Sequence, residues 1–467
     1  MNEMKSFLSI VLVLICIYSC NGQLYNYTEV IRLSNTFYHI QRQGRIADNH
    51  IPWRTDCFLH DGQDVGLDLS GGHFHAGDFT KFLFPYASFT TILNWGLLDW
   101  ANGYNETVVD NAFDTVRRSL EYLMRMHPSP NLMYVQIGNG SLDHTLWDRC
   151  EDWPHGPRRT FEINETAPGS DIASEYAAAF ASGYLVFNSR DATFGAALLQ
   201  HAIDAYEFAF NFRGIYSDSV PEAAEFYNST GFNDDLGWGA VWLLRATNNT
   251  QKYKPILDTL WCEDDFQGQN PIQFSWDNKY AGVFILGNKV LAEAGSAEAR
   301  YRDKGIEYCE TVMNLEQTPL GLTLLDEWTP LRFVANAAFA CLNLAEWPNI
   351  TNATQYRTWA VSQLHYILGD TGRSYVIGFG ENSPRNPHHR VSSCPPRPAP
   401  CGWTFFNSDE DNHFECTGAM VGGPNSNDEF EDLRQNWEQN DVGLDYNAGL
   451  QSSMAALNQL HRFGVIP

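Results

Sequence analysis

Basic residues are scarce in this chain, where 30 Lys and Arg stand against 56 Asp and Glu and give a formal net charge of −26 at pH 7. A field of that sign repels phosphate groups and anionic lipid headgroups, so nucleic acid and membrane surfaces are not expected partners. Cysteine and histidine show no spacing typical of a zinc site. A neutral polymer such as a polysaccharide is compatible with this charge, and the 14% of aromatic residues could supply the flat apolar faces that sugar-binding clefts use.

Long apolar runs are also rare. The run FLSIVLVLICIYSC near the N-terminus is too short to span a bilayer, so residues 1–22 are predicted to be a cleaved signal peptide rather than a membrane anchor. We therefore expect a secreted, extracellular protein without membrane insertion. Eight cysteines follow the signal segment, of which Cys394 and Cys401 could close a short loop. Eight N-x-[ST] sequons predict glycosylation and begin at Asn26, Asn105, Asn139, Asn164, Asn228, Asn248, Asn349 and Asn352.

No low-complexity or linker-like tract divides the chain, so residues 24–467 are interpreted as a single domain. Apolar residues recur at helical spacing in about twelve blocks, among them TEVIRLSNTFYHIQR, NAFDTVRRSLEYLMRM and DYNAGLQSSMAALNQLHRF. Several blocks are apolar on more than one face, which favours an all-α fold of helix hairpins closed into a double-layered α/α barrel. A stacked solenoid is the alternative, but no fixed sequence repeat supports it.

Carboxylates, histidines and aromatic residues concentrate in three loop segments, residues 56–81, 374–390 and 430–449. An inverting glycosidase needs two carboxyl groups about 6.5–9.5 Å apart, one to protonate the leaving oxygen and one to activate water. Asp78 from the first segment and Asp432 or Asp441 from the third could form such a pair. Isolated loop aspartates are more often turn formers, so the residues alone leave this assignment open.

The same segments closely resemble the glycoside hydrolase family nine cellulases, in particular the animal endoglucanases without a binding module. The likeness covers the whole mature chain and includes the motifs DGQDVGLDLSGG, DHTLW, STGFNDDLGW, FSWDNK, GFGENSPRNPHHR, MVGGPN and DYNAG. It implies an (α/α)6 barrel with an open cleft that cuts β-1,4-glucan internally with inversion. We accordingly expect a monomer that binds β-1,4-glucan or a related polysaccharide and needs no organic cofactor.

The resemblance also implies roles for single residues. Asp78 corresponds to the general base, Asp441 to the position of the general acid with Asp432 kept nearby, and His388 to a histidine beside the point of cleavage. Trp147 and Trp328 suit stacking, because a pyranose ring presents an apolar face. The positions that correspond to the glucan subsites and the histidine signature are His144, Trp147, Trp328, Arg332, Arg390 and Tyr446.

Two departures from the family affect the chemistry itself. The family motif Asp-Ala-Gly-Asp is HAGD at residues 75–78, so His75 stands where a second aspartate normally helps to hold the attacking water. The family's general acid is Glu, and Asp441 withdraws that carboxyl by about 1.5 Å, one C–C bond length. His73 also replaces a usual Trp. These changes predict a slow enzyme and leave open a non-hydrolytic glucan- or glycan-binding protein on the same barrel.

A structural calcium site is the one metal site that the resemblance implies. The family binds calcium beside the cleft, and the corresponding residues here are Thr230, Gly231, Asp234, Asp235 and Asp277. These are the hard oxygen ligands that Ca²⁺ prefers, although Asp235 offers a shorter arm than the family's Glu. The alternative is that the same acids cap a helix N-terminus without any metal.

Overall fold

The computed structural model describes residues 25–46, 49–263 and 266–466, so the predicted signal segment lies outside the described residues. Twelve helices of 14–20 residues dominate the described part of the chain. Numbered in chain order, they are α1 Tyr27–Ile40, α2 Leu83–Asp99, α3 Val109–Met126, α4 Ser170–Phe187, α5 Ala192–Asn211, α6 Asn233–Thr247, α7 Thr250–Glu263, α8 Tyr280–Glu293, α9 Ala299–Met313, α10 Pro330–Ala345, α11 Ala353–Leu368 and α12 Leu444–Arg462.

The even-numbered helices form a closed inner ring. Each of α2, α4, α6, α8, α10 and α12 packs against the next, and α12 packs against α2 to complete the circle. The odd-numbered helices lie outside this ring and pack against it. A solenoid would leave its first and last helices apart, so the prediction of an all-α, double-layered (α/α)6 barrel is confirmed.

Hydrophobic patterning explains which helices lie inside. The inner helix α4 is buried along almost its whole length, which its SDIASEYAAAFASGYLVF sequence allows because small and apolar residues occur on every face. The outer helix α3 has one buried stripe at Ala112, Val116, Leu120 and Leu123, and charged residues cover its other faces. Spacing of three and four residues is the mark of a helix with one face against a core.

The inner helices run in the same direction, so their C-terminal ends lie on one side of the barrel and their N-terminal ends on the other. At the C-terminal ends of α2 and α8, Lys289 Nζ lies 2.7 Å from Asp99 Oδ1. Deeper in the barrel, Trp95 packs against Trp238 and Phe339, with ring centroids 5.7 and 5.1 Å apart. The aromatic packing fills the centre of the ring, so the opposite side, where the inner helices begin, is left for a site.

A small antiparallel sheet lies beside the barrel in the order β1 Lys81–Phe82, β2 Leu132–Ile137 and β3 Thr160–Asn164, with Lys81 opposite Ile137 and Met133 opposite Ile163. No helix of the described residues has the length and apolarity to cross a membrane. Short α-helical turns occur at Gly140–Asp143, Tyr216–Ser219, Pro221–Ala224, Arg390–Ser393, Trp403–Phe406 and Trp437–Asn440, and 3-10 turns at Gln63–Val65, Ala101–Gly103, Cys150–Asp152 and Phe266–Gly268.

Three disulfides connect parts of the loop layer and the helices. They join Cys57 to Cys150, Cys309 to Cys341 and Cys394 to Cys401, while Cys262 and Cys416 are free thiols. The pairing of Cys394 with Cys401, suggested by their spacing, is confirmed. The other pairs join segments 32 and 93 residues apart, which is why the sequence alone does not indicate them.

Candidate active site

A cleft of about 420 Å³ opens where the inner helices begin. The segments that lead into α2, α6, α10 and α12 contribute to its wall. Asp78 and Asp441 are the two carboxylic acids among the lining residues, which are Ala76, Gly77, Asp78, Phe82, His144, Trp147, Phe226, Tyr227, Trp328, His388, Arg390, Trp403, Phe406, Trp437 and Asp441.

Gly77 brings the loop that carries Asp78, the base loop within residues 56–81, against the loop that carries His388, the histidine loop within residues 374–390. A Cβ on Gly77 would lie 1.9 Å from the carbonyl oxygen of His388, so any side chain at this position would push the two loops apart. The amide of Arg390 donates a hydrogen bond to the Gly77 carbonyl oxygen at 3.0 Å. Strand β1 begins three residues after Asp78 and anchors the other side of the loop. The Gly-rich turn therefore directs Asp78 into the cleft.

Asp78 has the environment of a strengthened base. Its side chain is 11% exposed, and its Oδ2 lies 4.0 Å from Nε2 of His144. Burial and the neighbouring carboxylate of Asp143 raise the pKa of Asp78, while His144 and Arg390 oppose the rise. Its Oδ1 is buried and has no hydrogen-bond partner within the described part of the chain. A carboxylate with a raised pKa accepts a proton more readily, so Asp78 suits the activation of water.

Asp143 holds the backbone next to Asp78 in place, and it was not among the site residues predicted from the sequence. Arg390 Nη1 donates to Asp143 Oδ2 at 2.8 Å and to its carbonyl oxygen at 3.0 Å. The amide of Phe79, next to Asp78, donates to the same Oδ2 at 3.1 Å. Asp143 thus connects the base loop to the histidine loop. Its place at the start of the DHTLW motif was the available signal, but a single sequence does not distinguish a buried ion-pair partner from a turn-forming aspartate.

Asp441 lies in the cleft wall with the protonation behaviour of an acid catalyst. Burial, with the charge of Asp78 as a smaller contribution, raises the pKa of Asp441 to about 7, although a hydrogen bond from the Val442 amide opposes the rise. That amide donates to Asp441 Oδ1 at 2.9 Å, and Tyr446 Oη lies 3.4 Å from Asp441 Oδ2. A carboxyl with this pKa is protonated in an appreciable fraction of molecules near neutral pH, as a general acid requires.

Asp432, the other candidate acid, has a different position. It is not among the residues that line the cleft. Its Oδ2 accepts a hydrogen bond from the Arg385 amide at 2.8 Å, and its Oδ1 accepts one from the Asn386 amide at 2.9 Å. Both oxygens therefore hold the backbone of the histidine loop. This arrangement suits a positioning residue, so Asp441 is the stronger candidate for the proton donor.

His75 turns away from the cleft. Its side chain is 1% exposed, and its Nε2 lies 3.2 Å from Asp445 Oδ1, while the ring packs edge-on against Tyr227 at 5.2 Å. Arg332 Nη1 lies 3.7 Å from the other oxygen of Asp445. Burial would raise the pKa of Asp445, but His75 and Arg332 outweigh it and hold this pKa below its usual range. The place of His75 favours a link between the base loop and α12 over the predicted contact with the attacking water.

His388 and His144 line the cleft with defined tautomers. His388 Nδ1 lies 2.6 Å from the carbonyl oxygen of Arg434, and His144 Nδ1 lies 2.7 Å from that of Gly140. A carbonyl oxygen only accepts, so Nδ1 carries the hydrogen in both rings and Nε2 is the acceptor of a neutral imidazole. Burial lowers the pKa of His388 to about 4, which keeps that ring neutral at pH 7.

Tryptophans at the cleft offer open ring faces. Trp328, Trp403 and Trp437 are 52%, 44% and 51% exposed, in contrast to Trp147, which is 1% exposed. The indole Nε1 of Trp147 donates to Ser393 Oγ at 3.0 Å. Trp147 therefore supports the wall, and its burial leaves little face for the stacking that the resemblance implies. Trp328 has the exposure that stacking requires.

Several aromatic residues of the wall were missed by sequence reasoning. Phe226 stacks on His144 with ring centroids 4.8 Å apart, and Phe406 packs on Trp147 at 4.6 Å. Trp403 and Phe406 lie in the stretch CGWTFF, directly after the disulfide-bonded Cys401. Three aromatic residues within five positions after a cross-linked cysteine were a signal for an ordered aromatic loop. The distance of this stretch from Asp78 in the sequence concealed its place in the cleft.

Three other predicted positions lie outside the cleft lining. Tyr446 is buried and contacts the acid, and the guanidinium carbon of Arg332 lies 5.2 Å from the Tyr446 ring centroid. Tyr446 and Arg332 therefore help to position Asp441 without lining the cleft themselves. His73, which replaces the family's usual Trp, is buried outside the cleft lining, where its Nδ1 is 2.8 Å from Tyr86 Oη.

The predicted calcium ligands form a polar cluster at the start of α6. Asp277 accepts hydrogen bonds from the Thr230 amide and hydroxyl, both at 2.9 Å, and Asp234 accepts one from the Lys279 amide at 2.7 Å. Both carboxylate oxygens of Asp235 are buried without a hydrogen-bond partner in the described ranges. Burial and the charge of Asp234 raise the pKa of Asp235 well above its usual value. An orphaned buried carboxylate among oxygen donors fits the chemistry of a hard cation.

Two further groups place possible metal ligands close together. Asp78, Asp143 and His144 form one of them, but the Arg390 guanidinium is already paired with Asp143 and disfavours a second cation. The other group contains Cys394 and Cys401, whose sulfurs are joined in a disulfide and are not available as thiolate ligands. Neither group competes with the cluster at α6 as a calcium site.

Comparison with solved structures finds the same architecture. An endoglucanase from the termite Nasutitermes takasagoensis, at pH 2.5, superposes with a TM-score of 0.89 at 43% identity, covering 94% of this chain and 100% of the other. The cellulase Cel9M of C. cellulolyticum in complex with cellobiose superposes with a TM-score of 0.86 at 27% identity, covering 94% of this chain and 100% of the other.

Sequence comparison agrees along nearly the full length. Endoglucanase A of Bacillus pumilus is 37% identical over 453 residues, which is 93% of this chain and 67% of that protein. Endoglucanase 10 of Arabidopsis thaliana is 36% identical over 460 residues, 92% of this chain and 87% of that protein. The sequence profile of the family described as Glycosyl hydrolase family 9 matches residues 27–454. Since this match spans the barrel and every element of the cleft, the chain belongs to glycosyl hydrolase family 9.

Proposed function

We propose that this protein is an endo-β-1,4-glucanase that hydrolyses internal bonds of a glucan chain with inversion, with Asp78 as general base and Asp441 as general acid. One observation carries the proposal: both carboxyl groups line the same cleft, and burial raises both of their pKa values, that of Asp441 to about 7. The endoglucanase relatives and the cellobiose-bound cellulase support the same substrate class.

The proposed reaction moves one proton from water to Asp78 and one proton from Asp441 to the glycosidic oxygen. Ionised Asp78 takes a proton from water as the water oxygen attacks the anomeric carbon. Protonated Asp441 gives its proton to the glycosidic oxygen, so the leaving sugar departs as a neutral alcohol. After the step Asp78 is neutral and Asp441 is charged, and exchange with solvent restores the first state. The reaction requires one carboxyl group to be ionised and the other to be protonated. Mutual repulsion between two neighbouring carboxylates favours this state over the doubly ionised one.

Aromatic faces and histidines would hold the glucan in place. The exposed indoles of Trp328, Trp403 and Trp437 suit the apolar faces of successive pyranose rings. The Nε2 atom of neutral His388 is an acceptor for a sugar hydroxyl group. The endoglucanase relatives support cleavage within the glucan chain rather than at its ends.

A non-hydrolytic glucan-binding protein is the second candidate function, motivated by His75 and by Asp441 in place of Glu. It is not favoured. The pKa of Asp441 supports a working proton donor, and the ring of His75 lies beside Asp445 and not among the residues that line the cleft with Asp78.

The experiment that tests the proposal follows reducing ends and viscosity together on carboxymethylcellulose. Internal cleavage is expected to lower viscosity steeply while few reducing ends have formed, because one cut in the middle halves a chain. Calorimetry with cellotetraose is run beside it. Binding of cellotetraose with no reducing ends from any soluble β-glucan would reject the enzyme and support the binding protein.

We also propose calcium as a structural cofactor, held by Thr230, Gly231, Asp234, Asp235 and Asp277. Cation binding would stabilise the ionised carboxylates, because burial disfavours that form: it raises the pKa of Asp234 to about 6 and also raises those of Asp235 and Asp277. Calcium at 100 times its Kd adds about 2.7 kcal/mol to the free energy of unfolding, so EDTA is expected to lower the Tm by several degrees and calcium to restore it. Asp235→Asn should remove this response. An EDTA-insensitive Tm would contradict the site.

Secretion, glycosylation, a single domain over residues 24–467 and a monomeric state are further proposals. All eight sequon asparagines are exposed or half-buried, so each is accessible to a glycan.

N-terminal sequencing of protein from culture medium is expected to begin near residue 24. Light scattering before and after glycosidase treatment is expected to give the mass of one chain plus sugar. Retention of residues 1–22 or a stable dimer would reject the corresponding proposal.

A further inference from the structure

A second cavity, of about 230 Å³, lies beside the residues that precede the base loop, and we refer to it as the arginine cavity. Its wall includes Arg42, Gln43, Arg45, His73, Arg118 and Arg125. Four guanidinium groups around one cavity are unexpected in a chain whose net charge is −26. The arginine cavity is smaller than the usual pocket for an organic ligand of about 300–1,000 Å³, so its size suits a small ion or a single charged group.

Two buried side chains of this wall have an unused polar atom. Gln43 is 2% exposed, and its Oε1 accepts a hydrogen bond from Arg158 Nη2 at 3.0 Å. Because a guanidinium only donates, this contact identifies the amide oxygen, and Nε2 is the other end of the amide. Gln43 Nε2 and His73 Nε2 both lack a hydrogen-bond partner among the described residues. The amide nitrogen of Gln43 can only donate, and a buried donor without a partner is costly. A ligand that accepts hydrogen bonds would therefore stabilise this wall.

The arginines are held in place by contacts outside or at the edge of the arginine cavity. Arg42 Nη2 and Arg118 Nε lie 2.6 and 2.9 Å from the same Asp114 carboxylate. Arg125 Nη1 donates to the carbonyl oxygen of Ser70 at 2.8 Å. These contacts fix the orientation of the three guanidinium groups. Preorganised guanidinium groups bind oxyanions better than mobile ones do.

Among the described residues, few carboxylates face this cluster of four arginines. Glu121 is the one carboxylate of the described lining, and its Oε1 lies 2.8 Å from Nε of Arg117, a residue outside the arginine cavity. Asp114 serves both Arg42 and Arg118. The arginine cavity therefore combines an excess of positive charge with an excess of hydrogen-bond donors. A ligand that complements both is an anion whose oxygens only accept hydrogen bonds.

We propose that the arginine cavity binds a tetrahedral oxyanion, sulfate or phosphate, either as the free ion or as the monoester group of a small sugar. The site is distinct from the glucan cleft, since the two share no lining residue. The repulsion expected from the net charge acts on extended polyanions over many contacts, whereas one small anion meets the local field of the arginines.

Calorimetry on the full-length protein tests the site without reference to catalysis. Sodium sulfate is titrated against sodium chloride at matched ionic strength, and sodium phosphate is tested in the same way. The wild type is expected to show saturable binding of one sulfate. Arg45→Glu, a change at an exposed residue of the lining, is expected to weaken it about tenfold or more, since it removes a charged donor and adds a repelling charge.

Arg302→Glu is the matched control, because it changes the net charge equally at an arginine that is far from the lining in sequence. The Arg302 side chain is 41% exposed, and its Nη2 lies 2.8 Å from Asp303 Oδ1. It is expected to change the sulfate Kd less than twofold. Gln43→Glu keeps the shape of the buried amide and its contact with Arg158 but places an anion in the wall, so it should abolish binding. Absence of saturable binding of either anion to the wild type, or equal weakening by Arg45→Glu and Arg302→Glu, would overturn the proposal.

Glucose 6-sulfate distinguishes the two sources of the anion. Binding tighter than free sulfate, lost in Arg45→Glu, would support the site and assign it to a sugar monoester. Exclusion of the ester while sulfate still binds would support the site and assign it to the free ion. Since no arm measures glucan hydrolysis, a catalytically inactive protein would leave the test intact.

Discussion

Replacement of Asp78 by Ala is expected to lower kcat on soluble β-glucan by about 10²–10⁴-fold, the range that general acid–base catalysis supplies. Asp78 lines the cleft, and its Oδ1 is buried and unpaired among the described residues. Without its carboxylate, the attacking water would lose its proton acceptor, and the imidazole of His75 points elsewhere. The measurement is the initial rate of reducing-end formation at saturating substrate.

Asp78→Asn separates this chemical loss from damage to the fold. It preserves the size of the side chain, so the contacts of the base loop remain. Because burial raises the pKa of Asp78 in the folded state, its ionised form is a cost to stability at neutral pH, and a neutral amide should keep or raise the Tm. An Asp78→Asn protein with wild-type kcat, or with the rate lost only in proportion to unfolding, would contradict the assignment of the base.

Lengthening Asp441 to Glu is expected to raise kcat by up to about 10²-fold, because an error of about 1 Å in the position of a catalytic group costs about that factor. The carboxyl would move outward by about 1.5 Å, one C–C bond length, toward the glycosidic oxygen. Asp441→Asn, which carries no transferable proton, is expected to lower kcat by about 10²–10⁴-fold. Both are measured on the same soluble β-glucan as the wild type.

Asp432→Glu is the matched control for this change. It adds the same methylene to a loop carboxylate nine residues earlier in the chain. Asp432, however, holds the amides of Arg385 and Asn386 instead of lining the cleft. It is expected to lower the rate or leave it unchanged. If Asp432→Glu raised kcat and Asp441→Glu did not, the proton donor would have to be reassigned.

The spacing of apolar residues predicted the barrel, because a helix that is apolar on every face is buried in the inner ring and a helix with one apolar face lies outside it. The all-round apolar α4 lies inside and the one-sided α3 lies outside. These patterns are local, within one or two turns of a helix. The positions of Asp78 and Asp441 came from motif resemblance, since only the motif relates residues that are hundreds of positions apart.

Side-chain direction within the loops could not be predicted from sequence. His75 and Asp78 belong to one four-residue motif, yet His75 turns toward Asp445 and Asp78 turns into the cleft. Trp147 was expected to stack on sugar, but the loop after Cys401 covers it with Phe406. Such outcomes depend on which distant segment packs against a loop, and loop contacts carry no periodic signal.

The pH dependence of kcat/KM on soluble β-glucan tests most directly whether Asp78 and Asp441 work as a base and acid pair. The acid must be protonated, and the pKa of Asp441 is raised to about 7, so activity should fall as the pH rises through about 7. The base must be ionised, so activity should also fall at low pH, where the raised pKa of Asp78 sets the limb. A bell-shaped profile with this alkaline limb is the predicted result. Activity that continues to rise above neutral pH, or glucan binding without turnover at any pH, would contradict the account.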